Sequence, residues 1–360
     1  MASLGARPAH RVGAVLDDLM ALFGRRRDTT GEAIADFWAW WSDGGSGQVA
    51  MADSGPDQVR LLGPRVELID PNLSWELAPG SESAHLLVVT ADGDPDLRAT
   101  ARRWLAGAPP SDFVWSYADS RQPAASLDGR RIGVDGHEFD LGSVQVGVRR
   151  TGSRLDVTVY HPQMAQVPAD KRITLCFHAL DVALGEEMTE TWIGELAPVE
   201  APPLDGFGLT GLRAVVRDLR GEFTDENGEP QWISLQGNGP RGAVIAGAQV
   251  PLAAAWAPQF DQHIVITAPY RDRDDAGLPD PAAAEELERL RSHVTDRLEG
   301  QGRVVAYECS GGTCQVHVYA EGSTPAADQV KAAVAGWANG AVRVAVESDP
   351  GWAGVAHLRG

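Results

Sequence analysis

With 360 residues, 43% of them hydrophobic, the chain has apolar content for two or three cores, and its 31 basic against 50 acidic residues leave a net charge of −19. A field of that sign repels phosphate backbones, which sets nucleic acid aside and favours a basic partner, although an acid excess is also what plain solubility requires. Three cysteines make no disulfide framework, no apolar run reaches the roughly eighteen residues that span a bilayer, and Asp17-Asp18 interrupt any signal segment, so the expected chain is cytoplasmic and free of membrane contact.

Two amphipathic helices are expected first. Val12, Leu16, Leu19 and Phe23 fall at helical spacing over 11–25, and Ile34, Phe37, Trp38 and Trp41 do so over 30–42, with Thr29 and Glu32 as a capping box and Gly44-Gly45 as the stop. The aromatic run at 37–41 is expected to be core. Residues 43–60 are rich in Gly, Ser and Asp and suggest a loop. From 61 to 221 the pattern gives a strand at His85 to Thr90, a helix from Asp94-Pro95, a strand at Asp112 to Tyr117, alternating strands through Val144 to Val148 and Leu155 to Val159, a helix with Cys176, Leu180 and Leu184 on one stripe, a strand from Met188 to Leu196, and a helix carrying Leu209 to Leu219. The turn formers of 222–230 mark the expected domain junction.

Beyond it, short strands lie near Trp232 to Leu235 and Ala243 to Ala246. The order then becomes a strand at His263 to Thr267, a helix from Asp280-Pro281, a hairpin over Arg303 to Ala320, a helix from Thr324-Pro325 and a strand with Val342, Val344 and Val346. Gly311-Gly312 supplies the positive φ a two-residue primed turn needs, and it pairs Cys309 with Cys314, Tyr307 with Val316 and Val305 with Val318 on the helix-facing side. Glu308 opposite Gln315, Ala306 opposite His317 and Val304 opposite Tyr319 then face the other way. The fold class is therefore α+β: two two-layer α/β sandwich domains, 61–221 and 222–360, the second ferredoxin-like (β-α-β-β-α-β), behind a helical N-terminal extension over 1–60.

The residues from Trp232 to Trp352 resemble the bacterial family catalogued as domain of unknown function 695. Ile264-Val265-Ile266 before Pro269-Tyr270, Gly277-Leu278-Pro279 before the Leu287 helix, the hairpin, and Asp349-Pro350-Gly351-Trp352 carry the resemblance. It implies no reaction; that some members are joined to a module similar to the regulator of ribonuclease E activity hints at protein binding. Leu180-Asp181 and Leu184-Gly185-Glu186 before Trp192-Ile193-Gly194 look like segments of uncharacterised bacterial proteins of this kind.

The candidate binding residues share the hairpin face turned from the helices: His263, Glu308, Gln315, His317 and Tyr319. His and Glu on one open face are the raw material of acid–base or metal chemistry, but packing against other strands is equally compatible with the pattern. Cys309 and Cys314 point to the core, lack zinc or thioredoxin spacing, and are expected to be core thiols. His178 and Asp181 suggest an ordinary polar helix face, Asp94 a helix cap rather than the start of a calcium loop, and Asp272, Asp274 and Asp275 a solvated loop. No phosphate loop, dinucleotide fingerprint or hydrolase elbow is present, so no catalytic residue, metal or cofactor is assigned. The expected function is a non-enzymatic protein-binding module, in its sharper form an inhibitor or immunity-type protein against a basic partner. The alternatives are an enzyme or small-ligand binder using a cleft between domains, and a structural subunit anchored by tryptophans.

Overall fold

The computed structural model describes residues 29–52 and 54–359; the helix expected over 11–25 lies outside them. Helices and mainly antiparallel sheets make up an α+β chain with three regions of packing. The first is organised by aromatic residues. Helix α1 (Thr29–Trp40) buries Ile34, Phe37 and Trp38 against α2 (Gly55–Ile69) and α3 (Pro95–Ala106). Trp38 lies 4.8 Å from Trp104 and Trp41 4.8 Å from Trp115, and the Trp38 indole donates to the Trp104 carbonyl at 2.7 Å. These rings cover the sheet β1 (Ser74–Ala78), β2 (His85–Thr90) and β3 (Trp115–Ala118), in which β2-α3-β3 is a parallel unit. Asp94 caps α3 by accepting from the Asp96 amide at 2.9 Å, as expected of a helix start. Helix α2 replaces the expected loop: Ser54 caps it, Pro56 falls in its first turn, and Leu62, Val66 and Ile69 recur on its buried side.

The second region has its own core. A hairpin, β4 (Arg131–Val134) with β5 (His137–Asp140), and the sheet β6 (Gln145–Thr151), β7 (Arg154–Tyr160) and β8 (Ile193–Val199) pack on α4 (Ala169–Leu184) and α6 (Leu209–Phe223). Residues 61–221 thus hold two three-stranded sheets with separate cores, not one sandwich. The strand expected from Met188 is a short helix, α5 (Glu186–Trp192), followed by β8; Gly185, at φ +81°, lets the chain leave α4 and begin a new helix at once. Glu186 is what fixes α5 in place. Its buried carboxylate accepts from Thr90 Oγ1 at 2.5 Å, Gly93 N at 3.1 Å and Arg121 N at 3.0 Å, and it faces Arg98 at 3.2 Å, so one side chain ties the first two regions together. Asp181, expected on a polar helix face, is buried beside it.

The third region is a six-stranded antiparallel sheet, order β14-β11-β13-β12-β10-β9. Its strands are β9 (Gln231–Gly239), β10 (Gly242–Val250), β11 (Gln262–Pro269), β12 (Gly302–Ser310), β13 (Thr313–Ala320) and β14 (Arg343–Ser348). Helices α7 (Pro281–Leu298) and α8 (Ala326–Val334) cover one face, burying Leu287, Leu290, Val294 and Val330 on Ile264, Ile266, Val316 and Val318. Gly311 and Gly312 take φ +56° and +81°, the primed turn expected, and Cys309 stands opposite Cys314 within the helix-side core. The register holds only as far as Ala306 opposite His317. A β-bulge at Val305 then pairs Val304 with Val318 and Arg303 with Tyr319, so Val304 faces the helices while Val305 joins Ala306 on the other side, the reverse of the expected placement. Arg103 of α3 reaches Asp261 at 2.7 Å and Glu321 at 3.5 Å, linking this region to the first.

Candidate functional site

The sheet face turned from the helices is not open. Leu252, Ala257 and Phe260 from the β10–β11 connection and Trp352, Val355 and Leu358 from the chain after β14 pack over Ala246, Ala248, Val305, Ala306 and Tyr319. Full burial of such side chains contributes about 1.5–3 kcal/mol each, which holds the cover in place. Asp349 organises its start: the carboxylate accepts from Ala353 N at 2.9 Å, Gly354 N at 2.8 Å and the Tyr319 hydroxyl at 2.5 Å. Trp352, at φ +54°, turns its ring onto Tyr319 with centroids 4.4 Å apart and donates to the Phe260 carbonyl at 2.9 Å. The local strain of that backbone, about 1–3 kcal/mol, is offset by this burial.

Beneath the cover the expected residues do meet. His263 lies opposite Tyr319, with rings stacked at 4.6 Å, and Val265 opposite His317, which brings the two imidazoles to 3.0 Å, His263 Nε2 to His317 Nδ1. His317 Nε2 stands 3.3 Å from Glu308 Oε1, which is also 3.3 Å from His357 Nε2; at the other end His263 Nδ1 is 3.3 Å from Glu347 Oε1 and 3.9 Å from Asp349 Oδ2. His263 and His317 are 2% and 3% exposed, whereas the Glu347 and His357 side chains are 66% and 54% exposed, so a hydrogen-bonded row runs from solvent to solvent through two sealed rings. Tyr319 is buried beside it, and Gln315, half-buried between Thr267 and Glu308, stays outside the row.

The protonation of this row follows from its partners. Glu308 accepts, so His317 donates from Nε2; a neutral His317 then accepts at Nδ1 and His263 donates from Nε2. His263 Nδ1 is left without a proton opposite two carboxylates. One added proton completes the row at the expense of a buried charge. Burial, and then the neighbouring His317, hold His263 below its ordinary value, so the neutral His263 ring is favoured near neutrality. The hydrogen bond from His317 holds Glu308 low, and although burial pushes Asp349 up, Tyr319 and the amides of Gly354 and Ala353 outweigh it and keep it low. Burial and the adjacent Asp349 push Tyr319 well up.

The arrangement can store or pass a proton, but the ring nitrogens are taken by one another and by carboxylates, and Gly354 lies directly against the His263 ring. Among the described residues no group of three or more His, Cys, Asp or Glu side chains is placed so that it could hold a metal ion. Cys309 and Cys314 are buried free thiols, and burial pushes Cys176 up to about 12. Asp274 closes its own loop by accepting from Ala276 N and Leu278 N, both at 2.9 Å. His357, Glu347, Asp349 and Gly354 have no signal of their own in the sequence; the Asp349-Pro350-Gly351-Trp352 turn is the one pointer to a chain doubling back over the sheet.

All of the row but His357, five of the six strands of its sheet and most of its cover fall within one recognisable segment. Residues 241–356 match the model of DUF695, a family of unknown function. The resemblance expected for the C-terminal third is thus borne out. The DUF695 segment begins just before β10 and ends inside the cover, so β9 precedes it and His357 lies one residue beyond it. No curated protein and no solved structure matches the chain.

Proposed function

We propose that this is a non-enzymatic cytoplasmic protein whose C-terminal region, from the 222–230 junction onward, binds another protein, a basic one. The observation that carries the reading is the sealed row. His263 and His317, the histidines that would serve catalysis, are committed to one another and to Glu308 beneath 352–358, and only the ends of the row, Glu347 and His357, reach the outer surface. The excess of 50 acidic over 31 basic residues favours a cationic partner, and inhibition of a basic nuclease or toxin is the sharper form. We also assign the strands from β11 to β14 a ferredoxin-like arrangement, supported by the order β14-β11-β13-β12 with α7 and α8 on one face; β10 and β9 extend it at one edge. Among the described residues no helix is long and apolar enough to cross a membrane.

Affinity capture from a lysate of the native host at low and high salt tests the proposal, followed by reconstitution with the purified captured protein. A basic partner bound at defined stoichiometry, its affinity falling steeply with salt, is expected. A partner that is acidic, or that binds with no dependence on salt, overturns the reading.

A further inference from the structure

A cavity of about 200 Å³ lies where the three regions meet, lined by Arg154, Glu190, Thr191, Leu252, Gly351 and Arg359 among others. Its two arginines are held in the same way. Arg154 donates from Nε to the Thr191 carbonyl at 3.2 Å and from Nη2 to the Glu190 carbonyl. Arg359 donates from Nε to the Leu252 carbonyl at 3.0 Å and from Nη2 to the Trp352 and Gly351 carbonyls at 2.8 and 3.2 Å. In both, Nη1 keeps its two protons unassigned, and neither guanidinium reaches a carboxylate among the described residues, in a chain with many more acidic than basic groups. Glu190 also lines the cavity, and its carboxylate is held in a two-pronged ion pair by Arg98, which it shares with Glu186. Two cations therefore face one space, and the carboxylates that act on them, Glu190 and Asp156 on Arg154 and Asp349 on Arg359, form no salt bridge with either among the described residues. Burial first, and the charge of Arg359 among the further causes, hold Arg154 below its ordinary value. A separate observation points the same way: Thr191, 2% exposed, has a buried hydroxyl with no hydrogen-bond partner among the described residues.

We propose that this cavity is a binding site for a small phosphate-bearing anion, with Arg154 and Arg359 supplying Nη1 donors and Thr191 its hydroxyl. Paired guanidinium forks match the oxygens of a phosphate better than a point charge does. The cavity admits the ion itself or a short phosphate ester, and excludes a nucleotide by size. The proposal goes beyond protein binding and stands independently of it, since the site lies at the junction of the regions.

The experiment is calorimetric titration of the full chain with inorganic phosphate and with glycerol phosphate, at constant ionic strength with chloride as the balancing anion. Saturable one-to-one binding is expected, weakened about tenfold or more in Arg154→Gln and in Arg359→Gln and several-fold in Thr191→Val. Tighter binding of the ester than of the ion identifies a metabolite site, and equal binding a free-phosphate site. Heat no different from chloride, or unchanged affinity in both arginine variants, overturns the proposal. Both arginines also hold backbone carbonyls, so if their variants unfold, Thr191→Val decides: weakened binding supports the site and unchanged binding overturns it.

Discussion

Gly354 offers the most direct probe of the cover over the histidine row. A Cβ built there would stand 2.6 Å from both Cε1 and Nδ1 of His263 and 3.2 Å from Asp349 Oδ2, where ordinary contact begins at 3.4 Å. The ring cannot swing away freely, because it is stacked on Tyr319 at 4.6 Å and on His317 at 5.3 Å. Gly354→Ala must therefore lift the cover or push the ring, and either movement stretches a hydrogen bond of the row. Overpacking costs about 1–3 kcal/mol, and this site belongs at the upper end, about 3 kcal/mol. His263→Ala empties the space, so in that background the same substitution should cost less than about 1 kcal/mol, the remainder coming from Asp349; the coupling is about 2 kcal/mol. Urea unfolding followed by far-ultraviolet circular dichroism on the four proteins of the cycle measures it. Equal costs in the two backgrounds would refute the reasoning, as would a Gly354→Ala protein of parental stability.

Glu186→Ala removes a buried carboxylate that serves Thr90, Gly93, Arg121 and Arg98, and should destabilise the chain by about 3–5 kcal/mol by the same urea assay; a loss below about 1 kcal/mol would show that water replaces it easily. Asp181 is pushed up from 3.8 to about 7, chiefly by burial and next by Glu186. Its folded form thus holds a proton that the unfolded chain has released, and stability is lost as the pH rises from about 4 to 7 and is level above. Asp181→Asn should therefore gain on the parent across that window, by at most about 4 kcal/mol at pH 8, and a difference equal at pH 5 and pH 8 would contradict the assignment.

What the sequence reveals here depends on whether a signal is local. Gly311-Gly312 marks its turn because only glycine takes those angles easily, and the turn alone places His317 and Glu308 on one face. The bulge at Val305 has no such mark. Val304-Val305-Ala306 is apolar in either phase, so period-two alternation carries the register one residue too far. Helix α2 hides behind Gly55, Pro56, Gly63 and Pro64, which resemble a loop until Leu62, Val66 and Ile69 find a common neighbour. The cover is the hardest to foresee. Leu252, Phe260, Val355 and Leu358 follow no period, and their destination is set by the sheet they meet, which is why an apparently open face is closed.

The aromatic core of the first region has an optical consequence. Six of the eleven tryptophans, Trp38, Trp40, Trp41, Trp75, Trp104 and Trp115, stand in or against that one core, several at near-contact ring distances. Excitation absorbed by one ring can pass to its neighbours, so the intrinsic fluorescence of the whole chain is chiefly a signal from the N-terminal side. Trp352 is the single indole over the histidine row, and it is pressed on Tyr319. An emission trace can therefore stay flat while the cover lifts from the sheet, and a Trp352→Phe difference spectrum is what would make that motion visible.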